Sequence, residues 1–395
     1  MTELPLASSS WGDEEIQAIH TVIESGRFSM GEVVQEFERA FANRFNSKFA
    51  LMVNSGSSAN LALIAGIRYR NPSQLAPGSE IIVPAVSWST TYYPIHQMGY
   101  KLRFVDIDPH TLNLDVNAVE SAINKATGAI FVVNLLGNPA DLVSLREITD
   151  SHKMVLLEDN CESMGARIGS RNAGTFGLGG TFSTFFSHHL CTMEGGIVTT
   201  DDEELMETML SIRAHGWTRE LPMKNSVYDK TGTEWDDLFR FVLPGYNLRP
   251  LEMEAAIGLV QLRKLTSFVD NRRANAEYFL RNARLIPGFQ FQEEFGESSW
   301  FGFSVILVDF MAGKRPQVLE RLRNAGIQTR PIVAGNFTKN PVIKLLNHAP
   351  LIEYPNADLV HENGFFFGNH HFDISESLDK IINILSDISR EVSHA

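Results

Sequence analysis

The chain has 395 residues, 44% of them hydrophobic and 21% charged, enough to bury the core of one large lobe and a smaller second one. Its formal net charge of −13 argues against nucleic acid or an anionic membrane as the main partner, while leaving room for a small phosphorylated ligand held by a few local donors. Two cysteines, Cys161 and Cys191, are too few for a disulfide scaffold or a four-thiolate iron–sulfur cluster. The opening MTELPLASSSWGDEE lacks the basic and apolar regions of a signal peptide, and no apolar run approaches the length of a membrane span. The expectation is a cytoplasmic protein of two lobes.

From Trp11 to Arg44 the spacing of Ile16, Ile19, Ile23, Val34, Phe37 and Phe41 predicts two helices broken at Gly26. The apolar FALMV then reads as a strand, NSGSSAN (Asn54–Asn60) as a small-residue loop and LALIAGI as a helix. The alternation continues with strands at Glu80–Ala85, Leu102–Asp108, Ala129–Gly137 and Met154–Cys161, each separated from the next by a helical stretch. These strands are continuously apolar, as strands buried on both faces of a largely parallel sheet are. Gly180–Ser187 and Gly196–Thr200 read as a further pair, followed by a helix. A polar segment from Trp217 to Asp237 interrupts the pattern and reads as a long loop. One long helix spans Arg249 to Arg284, and a smaller α+β unit follows. The expected organisation is a large domain over residues 1–250, a linking helix over 251–284 and a small domain over 285–395.

Four stretches carry chemistry. NSGSSAN offers backbone N–H groups at a helix N-terminus, where an anion can approach closely; the same sequence also suits an ordinary tight strand-to-helix turn. Asp159 ends a strand, where α/β sheets bind ligands, and a carboxylate there can hold a protonated pyridine nitrogen; it also suits a helix cap. Trp88 follows a strand end directly and can stack on a flat ring or pack in the core. FSTFFSHHLCTMEGG holds the adjacent pair His188 and His189. Neighbours in a strand point to opposite sides, which argues against a shared metal and leaves a core or catalytic histidine.

These motifs come in a telling order: SGSSAN, the strand-end tryptophan, LEDNCES, FSTFFSHHLCTMEGG and GYNLRPLEMEAAIGLVQL. In this order, and over essentially the whole chain, the sequence resembles the DegT/DnrJ/EryC1/StrS sugar aminotransferase family. The resemblance implies an aspartate-aminotransferase-like α/β fold (PLP fold type I), with a mostly parallel seven-stranded sheet and a smaller C-terminal α+β domain. It departs at one position. Where the family's aminotransferases carry the lysine that binds pyridoxal phosphate (PLP) covalently, six residues before E-G-G, this chain has His188. An imidazole is not a primary amine and cannot hold PLP that way.

Within the family a histidine at this place is implied for sugar 3-dehydratases. The two cysteines fit the branch that carries no iron–sulfur cluster and acts on a GDP-linked 4-keto-6-deoxy sugar. The resemblance then implies PLP, converted by L-glutamate to pyridoxamine phosphate (PMP). It implies His188 as the base that takes the cofactor's C4′ proton and offers it to the leaving 3-hydroxyl. Asp159 would face the pyridine nitrogen, Glu162 the ring 3-hydroxyl and Trp88 the ring face. Gly56, Ser57 and Ser183 would hold the phosphate, together with Asn247 from a neighbouring subunit of a homodimer with shared active sites. His215, Arg219 and Arg249 are implied on the substrate side, and as single residues suit structural roles equally. The alternatives are a PLP-dependent nucleotide-sugar aminotransferase and a non-catalytic relative that binds nucleotide sugar.

Overall fold

A computed structural model describes residues 4–70 and 75–394. In chain order, helices α1 (Asp13–Ser25) and α2 (Glu32–Phe45) lead into strand β1 (Phe49–Val53) and helix α3 (Gly56–Arg70). Then follow β2 (Glu80–Pro84), α4 (Ser89–Gln97), β3 (Lys101–Val105), α5 (Val116–Ala122), β4 (Thr127–Val133), α6 (Leu142–His152) and β5 (Val155–Asp159). A two-strand ribbon, β6 (Arg167–Ile168) and β7 (Arg171–Asn172), precedes β8 (Gly179–Ser183), β9 (Gly196–Thr200) and α7 (Glu203–Arg213). The segment from Trp217 to Asp237 is irregular apart from the single turn α8 (Glu234–Asp237).

The large sheet has seven strands in the order β1-β9-β8-β5-β4-β2-β3. β9 runs antiparallel to both neighbours, and the other pairs are parallel. β2, β8 and β9 are buried along their whole length, because helices cover both faces of the sheet. On one face α3, α4 and α7 bring Leu63, Ile64, Tyr92, Leu205 and Met209 onto Leu51, Val83 and Val198. On the other, α2 and the next helix pack Phe37, Phe41 and Phe268 around Phe182 and Met52.

That next helix, α9 (Glu252–Ala283), runs 32 residues. At 1.5 Å per residue it is about 48 Å long. Its N-terminal part, as far as Val269, supports the large sheet through Ala255, Leu265 and Val269, and its C-terminal part enters another core through Ala276, Phe279 and Leu280. There an antiparallel sheet is built from β10 (Phe289–Phe291), β11 (Gly302–Leu307), β12 (Thr329–Arg330) and β13 (Gly364–Gly368), in the order β10-β11-β13-β12. Helices α10 (Arg315–Asn324), α11 (Pro355–Asn363) and α12 (Ser375–Ser393) complete this unit.

Several local boundaries differ from the sequence reading, among them the strand expected to Asp108, which stops at Val105, and the one expected to Cys161, which stops at Asp159. The small-residue loop is shorter than Asn54–Asn60, because the helix begins at Gly56. The strand expected to Gly137 stops at Val133, where its pairing with Asp159 ends; Leu136 and Gly137 then turn with φ of 54° and 97°. The strand expected to Ser187 stops at Ser183, its last partner in β9 being Gly196.

Beside Asp159 on β5 lies a buried carboxylate that fixes the loop before β8. Glu158 accepts hydrogen bonds from the backbone N–H groups of Gly174 (2.6 Å), Phe176 (2.5 Å) and Gly177 (2.8 Å). Replacing Glu158 by Ala strands three buried donors, each costing about 1–3 kcal/mol. A loss of roughly 3–5 kcal/mol is expected in chemical denaturation of the variant; a loss below about 1 kcal/mol would remove this account of the loop.

Candidate active site

Five strands of the large sheet, β1, β2, β4, β5 and β8, end on the same edge, and the residues that follow them line one cavity of 490 Å³. Ligands gather at this edge of α/β sheets because helix N-termini and loops converge there. The large sheet contributes Gly56, Ser57, Trp88, Asp159, Glu162, Ser183 and His188, and the small sheet's side contributes Phe301, Arg330, Val333 and Phe366.

Asp159 is held from two helices. Its Oδ2 accepts from Asn60 Nδ2 on α3 and from Thr91 Oγ1 on α4, both at 2.8 Å, and its Oδ1 accepts from the Cys161 backbone N–H at 3.2 Å. Thr181 Oγ1 in turn donates to Asn60 Oδ1 at 2.6 Å. The carboxylate therefore has little freedom to turn. Glu162 accepts from the Leu136 N–H at 3.1 Å. Burial, reinforced by the Asp159 charge, raises its carboxyl to about 7, so near neutrality it can donate as well as accept.

Gly56 and Ser57 form the first turn of α3, whose N–H groups have no acceptor within the helix. A Cβ on Gly56 would lie 2.6 Å from Ser183 Cβ and 3.1 Å from Cys161 Sγ, so only glycine fits. Ser57 Oγ donates to Thr90 Oγ1 at 2.9 Å. Trp88 caps α4 and is 57% exposed, its indole on the cavity lining.

His188 lies between aromatic rings, 6.0 Å from Phe185 and 5.2 Å from Phe301. His189 is buried, its ring 5.9 Å from the same Phe301, and bonds the Ser299 carbonyl through Nε2 at 3.1 Å. The strand having ended at Ser183, the pair sits in a turn rather than an extended chain, and the expected alternation does not apply; both rings lie beside Phe301. Burial, with a contribution from the Arg272 charge, lowers the His188 imidazole from 6.5 to about 4. It is therefore a neutral base at physiological pH. Arg272 is itself buried, and its Nη1 donates to the carbonyls of Phe301 (3.1 Å) and Asn369 (2.5 Å), with no carboxylate among the described residues in an ion pair.

His215, Arg219, Asn247 and Arg249 do not line this cavity. They gather around Trp217. The guanidinium carbons of Arg219 and Arg249 stand 5.5 and 5.8 Å from its ring, and the His215 ring is 5.2 Å away. Arg249 Nε donates to Asn247 Oδ1 at 3.0 Å. Arg219 and Arg249 line a separate hollow of 470 Å³ beside the ion-paired Arg213, Glu38 and Glu220. Sequence reasoning missed Asn60 and Thr91 as anchors of Asp159, and Glu194, Phe301, Arg330 and Phe366 as lining residues. Asn60 and Glu194 lie within the motifs quoted above; the others carried no local signal.

Unfolded, the His188 imidazole takes up its proton near 6.5; folded, near 4. The unfolded chain thus binds more protons between those values, so this group lowers stability as pH falls from 6.5 towards 4, levelling off below. Carbon-13 histidine NMR of the cofactor-free protein should place one resonance, lost in His188→Asn, near 4. Arg272→Met should move that titration upwards by removing the nearby positive charge, and should lower the unfolding temperature by leaving two buried carbonyls without donors. An unchanged titration would refute the assignment of that charge.

The sequence pattern of the DegT/DnrJ/EryC1/StrS aminotransferase family matches residues 9–386. The chain is 50% identical over 387 residues to the GDP-4-keto-6-deoxy-D-mannose 3-dehydratase of Escherichia coli O55:H7, covering 98% of this chain and 100% of that protein. Its identity to the protein of the same name from Yersinia pseudotuberculosis is also 50%, over 98% of each. The solved structure of a GDP-4-keto-6-deoxymannose-3-dehydratase with a trapped PLP–glutamate geminal diamine matches with a TM-score of 0.95 at 50% identity, over 97% of this chain and 100% of that one. The mostly parallel seven-stranded sheet with a small antiparallel sheet is the aminotransferase-like fold expected from the sequence. A family pattern over nearly the whole chain, close relatives of matching length and this shared fold lead to one conclusion: the chain is an enzyme of the DegT/DnrJ/EryC1/StrS aminotransferase family.

Proposed function

We propose that the chain is a PLP- and PMP-dependent 3-dehydratase of GDP-4-keto-6-deoxy-D-mannose, with L-glutamate as amino donor, working in the cytoplasm. The observation that carries this reading is His188, a neutral imidazole facing the cavity where the family's aminotransferases carry lysine. Glutamate and one water become 2-oxoglutarate and ammonia, giving up two electrons and two protons. The sugar takes them up and loses its 3-hydroxyl as water, leaving GDP-4-keto-3,6-dideoxy-D-mannose. No helix among the described residues is long and apolar enough to cross a membrane.

The cavity fits the cofactor. The gap at Gly56 admits no side chain, lies against Ser183 and sits at a helix N-terminus, as a phosphate cradle must. Bound there, the cofactor supplies an amine for the sugar's 4-keto carbon and a ring that accepts electrons. Asp159, locked by Asn60 and Thr91, holds a proton at the pyridine nitrogen. Glu162 shares a hydrogen bond with the ring 3-hydroxyl, and Trp88 covers one face. His188 takes the proton at C4′ and delivers it to the departing 3-oxygen. A lysine could do the same but would also capture the cofactor. A histidine separates the two tasks.

We also infer a homodimer. Asn247 reaches the partner's phosphate cradle, and Arg219, Arg249 and His215 bring positive charge and hydrogen-bond donors to the partner's cavity. This accounts for two guanidinium groups that lie over Trp217, outside the chain's own cavity and without an ion pair to any described carboxylate.

The decisive assay combines purified enzyme, PLP, glutamate and GDP-4-keto-6-deoxy-D-mannose, and follows ammonia together with the mass of the sugar nucleotide. Loss of one oxygen with ammonia release is expected. A stable 4-amino product that keeps the 3-hydroxyl would replace the dehydratase by an aminotransferase. His188→Asn should bind PLP and release no deoxy product. Shared sites make a second prediction. Alone, His188→Asn is expected to be inactive and Asn247→Ala weakly active. Mixed and reassociated, they should regain roughly a quarter of wild-type activity, because half the dimers are mixed and each mixed dimer holds one intact site. No gain on mixing would place Asn247 and His188 in independent sites.

A further inference from the structure

Residues Leu4 to Trp11 precede the first helix and are bonded to both units of the molecule. At one end they join the small unit. The Leu4 N–H donates to the Gly326 carbonyl and the Gln328 N–H to the Leu4 carbonyl, both at 3.0 Å, just before β12. The Leu6 N–H donates to Gln328 Oε1 at 3.2 Å. His370 holds the segment at two points: its Nε2 donates to the Pro5 carbonyl at 3.0 Å, and its Nδ1 accepts from Ser8 Oγ at 2.7 Å. Between these ties Leu6 lines the cavity. Its carbonyl lies so close to Gly368 at the end of β13 that any Cβ there would clash with it.

At its other end the segment meets the loop that carries His188. Trp11 Nε1 donates to the Cys191 carbonyl at 2.9 Å. The Cys191 N–H donates to Gln261 Oε1 at 3.2 Å, and Ser10 Oγ donates to the same oxygen at 2.7 Å. Gln261 is fully buried on α9, and its Nε2 also donates to the Ser10 carbonyl (3.2 Å) and to Glu15 Oε1 on α1 (2.7 Å). Both main-chain groups of Cys191 are therefore held, three residues after His188. The rest of the loop closes on itself, the His188 N–H bonding the Phe185 carbonyl at 2.9 Å and the Phe186 N–H the Met193 carbonyl at 3.2 Å. Trp11, Ser10 and Gln261 share no contact with the anchors of Asp159 or with the gap at Gly56.

Moving a proton from C4′ to the 3-oxygen needs an imidazole aligned with both, and a displacement of about 1 Å can slow such a step about a hundredfold. The His188 ring makes one long side-chain contact, 3.4 Å to Ser187 Oγ, so its aim is set by the rings beside it and by the backbone that carries it. We propose that Trp11 is a positioning residue of the reaction: its bond to the Cys191 carbonyl, with Ser10 and Gln261 at the Cys191 N–H, fixes the loop that aims His188 at the reacting carbon. This inference rests on the dehydratase reading above, in which His188 is the base. The same segment is tied to the small unit and passes the cavity at Leu6, so it links the base to the wall opposite the large sheet.

The test compares the wild type with Trp11→Phe, which keeps a ring and removes the indole donor, and with Ser10→Ala. One arm follows single turnover of GDP-4-keto-6-deoxy-D-mannose on PMP-loaded enzyme. A second measures PLP affinity, GDP-sugar affinity and unfolding temperature. A third follows the His188 resonance by carbon-13 NMR in the cofactor-free protein. In Trp11→Phe the deoxy sugar is expected to form about tenfold more slowly or worse, with both affinities within about twofold of wild type and the unfolding temperature retained. Its His188 resonance should titrate above the wild-type value near 4, because a loosened loop admits water to the ring. Ser10→Ala should show the same pattern to a smaller degree. A turnover rate within about twofold of wild type in Trp11→Phe, or an unmoved His188 titration, would overturn the proposal. So would slowing that accompanies lost PLP affinity or a lower unfolding temperature, which marks a structural role alone. If the wild type itself forms no deoxy sugar, the dehydratase reading fails, whereas the histidine titration still decides whether Trp11 holds the His188 loop.

Discussion

The Asp159 carboxylate is the point on which the site turns. Three donors from two helices and the chain itself meet its two oxygens: Asn60 from α3, Thr91 from α4 and the Cys161 N–H. The first turn of α3 offers an anion cradle, and the residue before α4 is Trp88. One buried carboxylate therefore fixes the phosphate end, the ring face and the ring nitrogen of the proposed cofactor site relative to each other. Such a cluster is worth having only when every member is satisfied, since an unpaired buried polar group costs more than the bond it lacks.

His188 depends on a second set of constraints, from the far side of the molecule. Phe301 packs against its ring, and the Phe301 carbonyl accepts from Arg272 on α9. The same arginine bonds the Asn369 carbonyl just beyond β13. A buried cation tied to main-chain carbonyls stabilises the segment behind the histidine, and its charge adds to the burial that keeps the imidazole neutral. Proton transfer needs a base that is unprotonated yet aligned, and burial with a fixed nearby charge supplies both. The long helix α9 serves both sheets and so couples the base to the small unit that closes the cavity.

The two sheets also divide the charge. The large sheet presents carboxyls and a neutral histidine, and the small unit presents Arg330. The crossing from Arg330 to Phe337, with Val333 at φ of 43°, sits where the two meet. Strain of this kind persists when surrounding contacts over-determine the conformation, here the strand pairing of Arg330 at one end and the bond from the Phe337 N–H to the Ala85 carbonyl at the other. Function and fold are joined at that crossing, because the segment that links the two sheets also lines the cavity.

Local pattern made much of this legible. Alternating helical periods and continuously apolar runs specify an α/β unit with strands buried on both faces, and an Asp, a Trp and a His just after such runs fall at the ligand-binding edge by topology alone. The replacement of a lysine by His188 is visible residue by residue. Strand ends were less legible, because a strand stops where its partner stops, as at Val133 and Ser183. By itself the sequence determined the layering, the edge that binds and the residues that immediately follow each strand, since these depend on short-range periodicity. Only the tertiary structure decided which distant groups act on them. Asn60 and Thr91 hold Asp159, burial and then the Arg272 charge keep His188 neutral, Arg330 lines the same cavity, and Arg219 and Arg249 lie elsewhere, around Trp217. Those relations arise from through-space contact and charge between segments far apart in the chain, which no local pattern encodes.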